Sequence, residues 1–281
     1  MKKLIGFSIL LLITNVSYGG GGWVYKKGKG FVKVGQNMIL SRYYFQSNGN
    51  LNDLASRISL YTTSLYVEYG ITDRLNAVAY VPFFVRAIQN NIQLQPSGTV
   101  IPGDAINSFG DTDVGLKYGF FQNKSVVMSI SLIAGLPFGY SEVSSDNVLR
   151  TGDGEFNQLV KLEVSKSFYP APFYASAVLG FNNRTNGFSE EFHYGAEVGY
   201  KLGQCTGVLR VYSVNSLFNG TNDEFQGNTA FANNIEYFSY GPEIIYTVNN
   251  KLGVSASAGF AFSGRNVLGA PNFGFGLFMK L

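Results

Sequence analysis

Alternation with a period of two is the feature that most constrains this chain. In the segment 74–88, Leu75 and Ala77 fall on one face, whereas Arg74 and Asn76 fall on the other. Successive side chains of a strand point to opposite sides of a sheet, so this spacing predicts strands with one apolar face and one small or polar face. The pattern recurs along nearly the whole chain and leaves little room for helices.

About twelve segments show this pattern, an even number as single-chain bacterial barrels require. The fold class that follows is all-β, an antiparallel transmembrane up-and-down β-barrel of about 12 strands. The predicted strands are 30–45, 59–70, 74–88, 110–121, 125–138, 155–168, 173–183, 191–202, 206–218, 234–248, 251–263 and 272–281.

The N-terminus predicts export. Lys2 and Lys3 precede an apolar run over residues 4–13 and then Ser17-Tyr18-Gly19, a small-x-small cleavage pattern. That run is too short to cross a bilayer as a helix, which needs about 20 residues. We therefore expect a signal peptide over residues 1–19 and a barrel domain over residues 20–281.

The connections between the predicted strands alternate in length. Short turns are expected at 71–73, 122–124, 169–172, 203–205 and 249–250, and longer loops around 46–58, 89–109, 139–154, 184–190, 219–233 and 264–271. Outer-membrane barrels have short periplasmic turns and longer extracellular loops. The pattern therefore places both termini in the periplasm of a Gram-negative bacterium.

Composition favours a membrane barrel over other classes. The 281 residues include 34 Gly, 24 Phe and 18 Tyr, and only 14% are charged. A water-soluble β-sandwich shares the alternation and remains the alternative fold, but the long strands and the signal favour a sheet that closes in lipid, where no edge N–H can stay unpaired. Removal of the signal leaves a formal charge near +1, which implies no nucleic-acid partner. A single cysteine, Cys205, excludes an internal disulfide and a thiolate metal cluster. We expect no cofactor and no metal site.

The phase of the strands places most mid-strand charges on the lumen side, where they avoid the roughly 2–4 kcal/mol cost of a charge at lipid mid-depth. They would form structural ion pairs across a narrow interior or a selectivity lining. These candidates are Lys33, Glu68, Arg74, Asp111, Asp113, Lys117, Lys161, Glu163, Glu197, Lys201, Arg210 and Glu243.

Three prolines interrupt predicted strands. Pro82, Pro137 and Pro242 each remove a donor from the strand ladder, so each predicts a kink or bulge. A bend with no opening is the simpler interpretation. The functional alternative is a lateral gap at Pro82 and Pro137 through which a hydrophobic solute leaves sideways into the membrane, and replacing both prolines would then slow uptake.

An enzyme would need a nucleophile and a base. His193 is the only histidine, and its phase points into the lumen, as the Ser–His pair of an outer-membrane phospholipase would require. The residues around it match none of that family's motifs. We therefore expect His193 to be a hydrogen-bonded filler and the protein not to be an enzyme.

Several segments resemble one family of bacterial outer-membrane proteins. They are residues 21–23, 64–75, 110–119, 151–156 and 180–185. Together they are similar to the outer-membrane meta-pathway phenol-degradation family, which is loosely grouped with FadL-type hydrocarbon and fatty-acid transporters.

The resemblance implies a barrel that carries hydrophobic or aromatic compounds. The chain departs from true FadL proteins in its lower strand count and in having only about ten mature residues before the first strand, which leaves no room for an N-terminal hatch. The best candidate for a lumen plug is instead the loop 89–109, by its length and by Ile88, Ile92, Leu94 and Ile101, and the alternative is a mobile loop outside the barrel.

A barrel of about twelve strands exceeds the roughly eight whose interior side chains fill completely, so a cavity or pore is expected. The expected function is a channel for passive diffusion of small, hydrophobic or aromatic solutes, and the alternative is a non-transporting surface protein that acts through its loops in adhesion or envelope integrity. The expected partners are outer-membrane lipid, a small-molecule solute and, during folding, the barrel-assembly machinery. The last of these rests on the final strand, whose apolar face is similar to a C-terminal assembly signal.

Overall fold

A computed structural model describes residues 21–94, 96–123, 125–142, 149–221 and 231–281. The predicted signal peptide lies outside the described residues. Within those residues no helix is long and apolar enough to span a membrane. The described residues include twelve long strands, which form the wall. They are β1 (Gly30–Phe45), β2 (Leu51–Gly70), β3 (Leu75–Gln89), β4 (Thr112–Gln122), β5 (Val126–Leu136), β6 (Asn157–Ser167), β7 (Phe173–Arg184), β8 (Glu191–Leu202), β9 (Cys205–Ser216), β10 (Glu236–Thr247), β11 (Leu252–Arg265) and β12 (Asn272–Lys280).

The twelve strands close into a barrel. Each strand pairs antiparallel with the next along the chain, and β12 pairs with β1 from Phe31 opposite Lys280 to Ile39 opposite Asn272. Closure gives both edges of the sheet a partner, which a sheet in hydrocarbon requires. The predicted all-β, 12-stranded, up-and-down barrel is confirmed.

The barrel has two different ends. All five predicted short turns lie at one end, together with Gly30 and Leu281, whose backbone groups are joined by a 2.9 Å hydrogen bond. We call this the turn end, and the opposite end, which carries the longer connections, the loop end.

Two predicted loops at the loop end are in fact tight connections. The expected loop 46–58 is a short turn, because β2 begins at Leu51 and its first residues pair with the last residues of β1. A bulge in β1 near Ser41, whose hydroxyl bonds both the amide and the carbonyl of Tyr43, breaks the spacing there. In the expected loop 264–271, Val267–Leu268 pairs with the end of β1.

The segment 89–109 is not a lumen plug. Its residues Asp104–Ser108 pair with β3 from Val85 to Gln89, so they extend the barrel wall beyond β4. Ile92–Gln93 and Val100–Ile101 form a small separate hairpin. Leu94 and Ile101 are exposed, and none of the described residues of this segment lines the central cavity, so the expectation that it fills the lumen is wrong.

Burial is inverted relative to a water-soluble protein. Inside the barrel Glu68 and Asn76 are 1% and 0% exposed, whereas on the outer surface Leu132, Ile244 and Leu277 are 60%, 61% and 66% exposed. An apolar band this continuous marks a surface that contacts lipid.

The prolines behave as the sequence predicts at two positions. The register between β2 and β3 shifts at Pro82, which lies on β3. The ladder between β10 and β11 is interrupted at Pro242, which lies on β10. Pro137 instead directly follows the end of β5. Pro82 and Gly110 are in direct contact. The Pro82 carbonyl accepts a 2.8 Å hydrogen bond from the Gly110 amide, and a Cβ on Gly110 would lie 2.9 Å from the Pro82 ring. A lateral gap at these prolines stays a prediction.

Candidate functional site

A cavity of about 430 Å³ lies inside the barrel. Its wall combines charged side chains, tyrosines and small residues that the strands direct inward. Its lining side chains include Phe31, Lys33, Tyr66, Tyr80, Lys161, Glu163, Tyr174, Val208, Glu197, Arg210, Tyr212, Glu243, Ile245, Ser257 and Phe278. The volume falls in the range of about 300–1,000 Å³ that is typical of small-molecule sites.

One side of the cavity carries a ladder of ion pairs. Lys33 Nζ lies 3.0 Å from Glu243 Oε1, and Arg210 joins Glu243 at 3.5 Å and Glu197 at 2.9 Å. The Tyr174 hydroxyl donates a further bond to Glu197 at 3.0 Å. These contacts thus hold residues of β1, β7, β8, β9 and β10 together across the lumen. The negative charges of both glutamates are neutralised by cations.

Lys117 is the centre of a second ion-pair cluster, on β4. Its Nζ lies 3.5 Å from Glu163 and 3.8 Å from Glu68. Glu68 also accepts bonds from Asn76 at 2.8 Å and from the Tyr66 hydroxyl at 3.1 Å. Buried charges persist where they are paired and hydrogen-bonded, which these contacts provide.

Residues 21–25, which we call the strap, lie inside the barrel. The Gly21 carbonyl accepts a 2.5 Å bond from Lys117 Nζ, and Gly22 bonds to Ser165 Oγ at 2.8 Å and to Gln122 Nε2 at 3.0 Å. The strap therefore covers the inner face of β4 to β7 and narrows the lumen beside the cavity.

Aromatic contacts continue this packing. Trp23 packs edge-on against Tyr174, with ring centroids 5.3 Å apart. Tyr25 packs against an apolar cluster of Phe31, Val208, Ile245 and Phe278 at the turn end. Burial and the nearby Glu68 carboxylate raise the pKa of the Tyr25 phenol well above its usual range. The strap is thus held by ring contacts as well as by hydrogen bonds.

An apolar cluster, which we call the floor, closes the cavity toward the turn end. It consists of Phe31, Val208, Ile245 and Phe278, with Phe31 and Phe278 stacked at 5.3 Å between ring centroids and Tyr66 packed against them. A polar cavity over an apolar floor is an amphiphilic site.

The strap is the part of the site that sequence reasoning missed. The prediction that so few residues cannot form a hatch domain does not prevent them from entering the lumen. Gly22 permits the close approach, because a Cβ there would lie 2.6 Å from the Val127 carbonyl oxygen. The signal in the sequence is the run of four glycines, 19–22, before Trp23.

The other predicted lumen residues are placed differently from one another. Lys161 lines the cavity, and Asp113 interacts with it electrostatically. Arg74 and Lys201 are exposed at the turn end, beyond the cavity. Asp111 lies outside the lumen wall, in a network at the loop end.

That network, which we call the loop clamp, gathers three of the sequence motifs. Arg184 bonds Asp153 at 2.7 Å, Glu155 at 2.5 Å and Glu191 at 2.6 Å, and its guanidinium lies 4.4 Å above the Phe188 ring. These contacts tie the connection before β6 to the ends of β7 and β8.

Asp111 extends the loop clamp toward β4. Its carboxylate accepts bonds from the amides of Gly139 at 2.9 Å and Asp153 at 2.7 Å. Burial, and secondarily the charge of Asp153, raise the pKa of Asp111 to about 7. Burial likewise raises the pKa of Glu155, although Arg184 opposes the shift.

His193 has partners for both ring nitrogens. Nδ1 lies 2.9 Å from the Tyr212 hydroxyl, and Nε2 lies 3.0 Å from Glu191, which Arg184 also contacts. The ring therefore joins the cavity wall to the loop clamp. Neither of these partners is a serine hydroxyl that the imidazole could activate.

Comparison with solved structures shows the same fold. The COG4313 outer membrane channel from Pseudomonas putida F1 superposes with a TM-score of 0.64 over 94% of this chain and 98% of that one, at 12% identity. The β domain of the Bordetella autotransporter BrkA gives 0.52 over 91% and 100%, at 11% identity. The KdgM porin in complex with disordered oligogalacturonate gives 0.50 over 89% and 98%, at 6% identity.

The sequence comparisons give the family. No curated protein sequence matches the chain. A family model does match, over residues 42–276, which is most of the chain, and it carries the description "Putative MetA-pathway of phenol degradation". The chain is a β-barrel of the outer membrane, and it belongs to the family described as the MetA-pathway of phenol degradation.

Proposed function

We propose that this barrel is a channel for the passive passage of small aromatic or hydrophobic solutes across the outer membrane. The observation that carries the proposal is the cavity itself. A closed wall holds a space of about 430 Å³ in which an apolar floor meets tyrosine hydroxyls and charged groups. The volume and the combination of apolar and polar lining groups are typical of a small-molecule site.

The proposed orientation follows from the connections. Short turns and both ends of the barrel chain lie at the turn end, which corresponds to the periplasm in outer-membrane barrels. Solute would enter at the loop end, reach the cavity, and leave past the strap and the floor. Outer-membrane lipid would contact the apolar band, and the barrel-assembly machinery would read the final strand, β12.

Passage requires a change at the strap or the floor. The strap is held by hydrogen bonds from Lys117, Ser165 and Gln122, and the floor is packed by aromatic contacts. These contacts are non-covalent, so thermal motion can break them and open a path for solutes of limited size. The resulting flux would be slow and strongly dependent on solute size.

Liposome swelling with solutes of graded size tests the proposal. Liposomes that contain the mature protein should swell with small sugars, and the rate should fall steeply as the sugar becomes larger. The matched control is protein-free liposomes. Equal rates with and without protein would contradict a channel and would favour the alternative, a surface protein with a sealed lumen that acts through its loops.

A further inference from the structure

We propose that the cavity binds aromatic carboxylates, with the carboxylate on the Lys161 ammonium and the ring over the floor. The inference rests on the proposed channel function and narrows it to a class of solute. The charges around the cavity decide which ligand charge the site accepts.

Each carboxylate that lines the cavity already has a cation. Glu197 is paired with Arg210, Glu243 with Lys33 and Arg210, and Glu163 with Lys117, at distances of 2.9–3.5 Å. A cationic ligand would have to displace one of these partners. The site therefore offers no unoccupied anion.

Lys161 differs from the other cations of the wall. Among the residues that the structure describes, no carboxylate oxygen lies within the 4.0 Å of an ion pair from its Nζ, and Asp113 acts on it only at longer range. Its strand neighbours are Ser131 and Gly180, which carry no charge. A Cβ on Gly180 would lie 3.3 Å from Lys161 Cγ, so the absence of a side chain at Gly180 leaves space for the aliphatic part of the lysine side chain.

An ammonium in this position attracts an anion more strongly than one in bulk water. The barrel wall lowers the effective dielectric constant, and Coulomb energies rise in proportion. A charge-assisted hydrogen bond from an ammonium to a carboxylate is roughly twice as strong as a neutral one. A carboxylate therefore fits as the ligand group for Lys161.

The rest of the cavity fits a ring. The floor presents Phe31 and Phe278, and Tyr66 and Tyr174 line the wall beside it. Aromatic faces and edges favour contact with another planar ring. A neutral hydrocarbon would leave Lys161 without a partner, and the other cations at the wall are already paired with glutamates, so one ring with one carboxylate matches both features.

Fluorescence of Trp23 provides a direct test. Trp23 is the only tryptophan of the chain and contacts Tyr174 on the cavity wall. The purified, detergent-solubilised barrel would be titrated at pH 7 with benzoate, with benzyl alcohol as the uncharged analogue and with acetate as the carboxylate without a ring. Benzoate should bind about tenfold more tightly than either analogue.

Variants assign the preference to one residue. Lys161→Gln should weaken benzoate binding about tenfold and leave benzyl alcohol unchanged, whereas Lys161→Arg should retain most of the affinity. Lys166→Gln, on the outer face of the same strand, is the matched control and should change neither. If Lys161→Gln does not fold, the wild-type comparison of benzoate with benzyl alcohol still decides.

The two proposals fail in different ways. Equal affinity for benzoate and benzyl alcohol, or unchanged benzoate binding in Lys161→Gln, would overturn the carboxylate site even if liposomes swell. Benzoate binding that depends on Lys161, in a protein that passes no solute, would support the site and contradict the channel.

Discussion

Arg184 shows how much can depend on one side chain in this barrel. Its guanidinium holds three carboxylates, those of Asp153, Glu155 and Glu191, and it is almost fully buried. Removal of one partner from a buried charge cluster costs about 3–5 kcal/mol, because the remaining charges stay desolvated.

Arg184→Gln should therefore lower the free energy of unfolding by about 3–5 kcal/mol, measured by the thermal unfolding of the purified barrel. Arg42→Gln is the control, since Arg42 is exposed on β1 near the same end. A change no larger than that of the control would show that the loop clamp contributes little to stability.

Asp111 makes the loop clamp sensitive to pH. The pKa of its carboxyl is about 7 in the folded protein, against 3.8 when exposed, because it is buried beside Asp153. A raised carboxyl pKa means that Asp111 retains its proton in the folded protein, so the contribution of Asp111 to stability is greatest below pH 4, falls as pH rises to about 7 and is constant above. Glu155 shifts in the same direction, and Arg150 and Arg184 face the same carboxylates.

Hydrogen exchange at the amides of Gly139 and Asp153, corrected for the intrinsic rate, measures this dependence. Protection should be higher at pH 5 than at pH 8, and Asp111→Asn should flatten the profile. A profile that is equally steep in Asp111→Asn would assign the dependence to another group.

Residue positions were predictable where the strand phase was regular. Lys33, Glu163, Glu197, Arg210 and Glu243 all line the cavity as their alternation predicts. Asp111 does not, because β4 begins only at Thr112 and the preceding residues form an irregular crossing near Pro82. Which charges pair with which, and that Lys161 has no close partner, follows from register across several strands and is not readable from one strand.

The strap shows why some elements escape prediction. It has no periodicity of its own, and its position depends on contacts with Ser165, Lys117 and Gln122 that are distant in sequence. The start of β2 was missed for a related reason, since Asn52 and Asp53 are typical turn residues, yet they pair with the end of β1.

Adding one methyl group at Gly22 tests whether the position of the strap limits the path through the lumen. A Cβ at Gly22 would collide with backbone atoms of Val127 and Glu163, and such overpacking costs about 1–3 kcal/mol. Gly22→Ala should unseat the strap and raise the single-channel conductance in planar bilayers. Gly207→Ala, where the added methyl meets open space, should not. Equal conductance in the two variants would mean that the strap does not limit the path.

Charge is distributed unevenly over the whole molecule. The described residues place eight basic side chains and one acidic one, Asp73, at the turn end. The basic ones are Lys26, Lys27, Lys29, Arg74, Lys166, Lys201, Lys251 and Lys280. The loop end carries an excess of acids over six arginines. The acids are Asp53, Asp104, Asp111, Asp113, Glu142, Asp153, Glu155, Glu190, Glu191 and Glu236.

A pore with opposite fixed charges at its two ends conducts unequally in the two directions, because anions accumulate at one end and cations at the other. The current–voltage curve should be asymmetric at 0.01 M salt, where the Debye length is about 30 Å, and nearly symmetric at 1 M, where it is about 3 Å. Lys26→Glu, Lys27→Glu and Lys29→Glu together should reduce the asymmetry. Asymmetry that persists at high salt would point to shape, not charge.

The closed barrel was predictable at the scale of the molecule, because alternation, strand length and connection length all require the same architecture. The arrangement of the strap, the floor and the loop clamp was not predictable, because contacts between distant segments of the chain form them. We propose that solutes and ions pass through the barrel interior at the cavity.

Cysteine modification during single-channel recording tests that claim most directly. In a Cys205→Ser background, Ser257→Cys places a thiol on the cavity wall and Ala256→Cys places one on the lipid face of the same strand, β11. A charged methanethiosulfonate reagent should sharply change the conductance of Ser257→Cys and leave that of Ala256→Cys unchanged. If neither variant responds while both conduct, the current does not pass through this cavity and the account is contradicted.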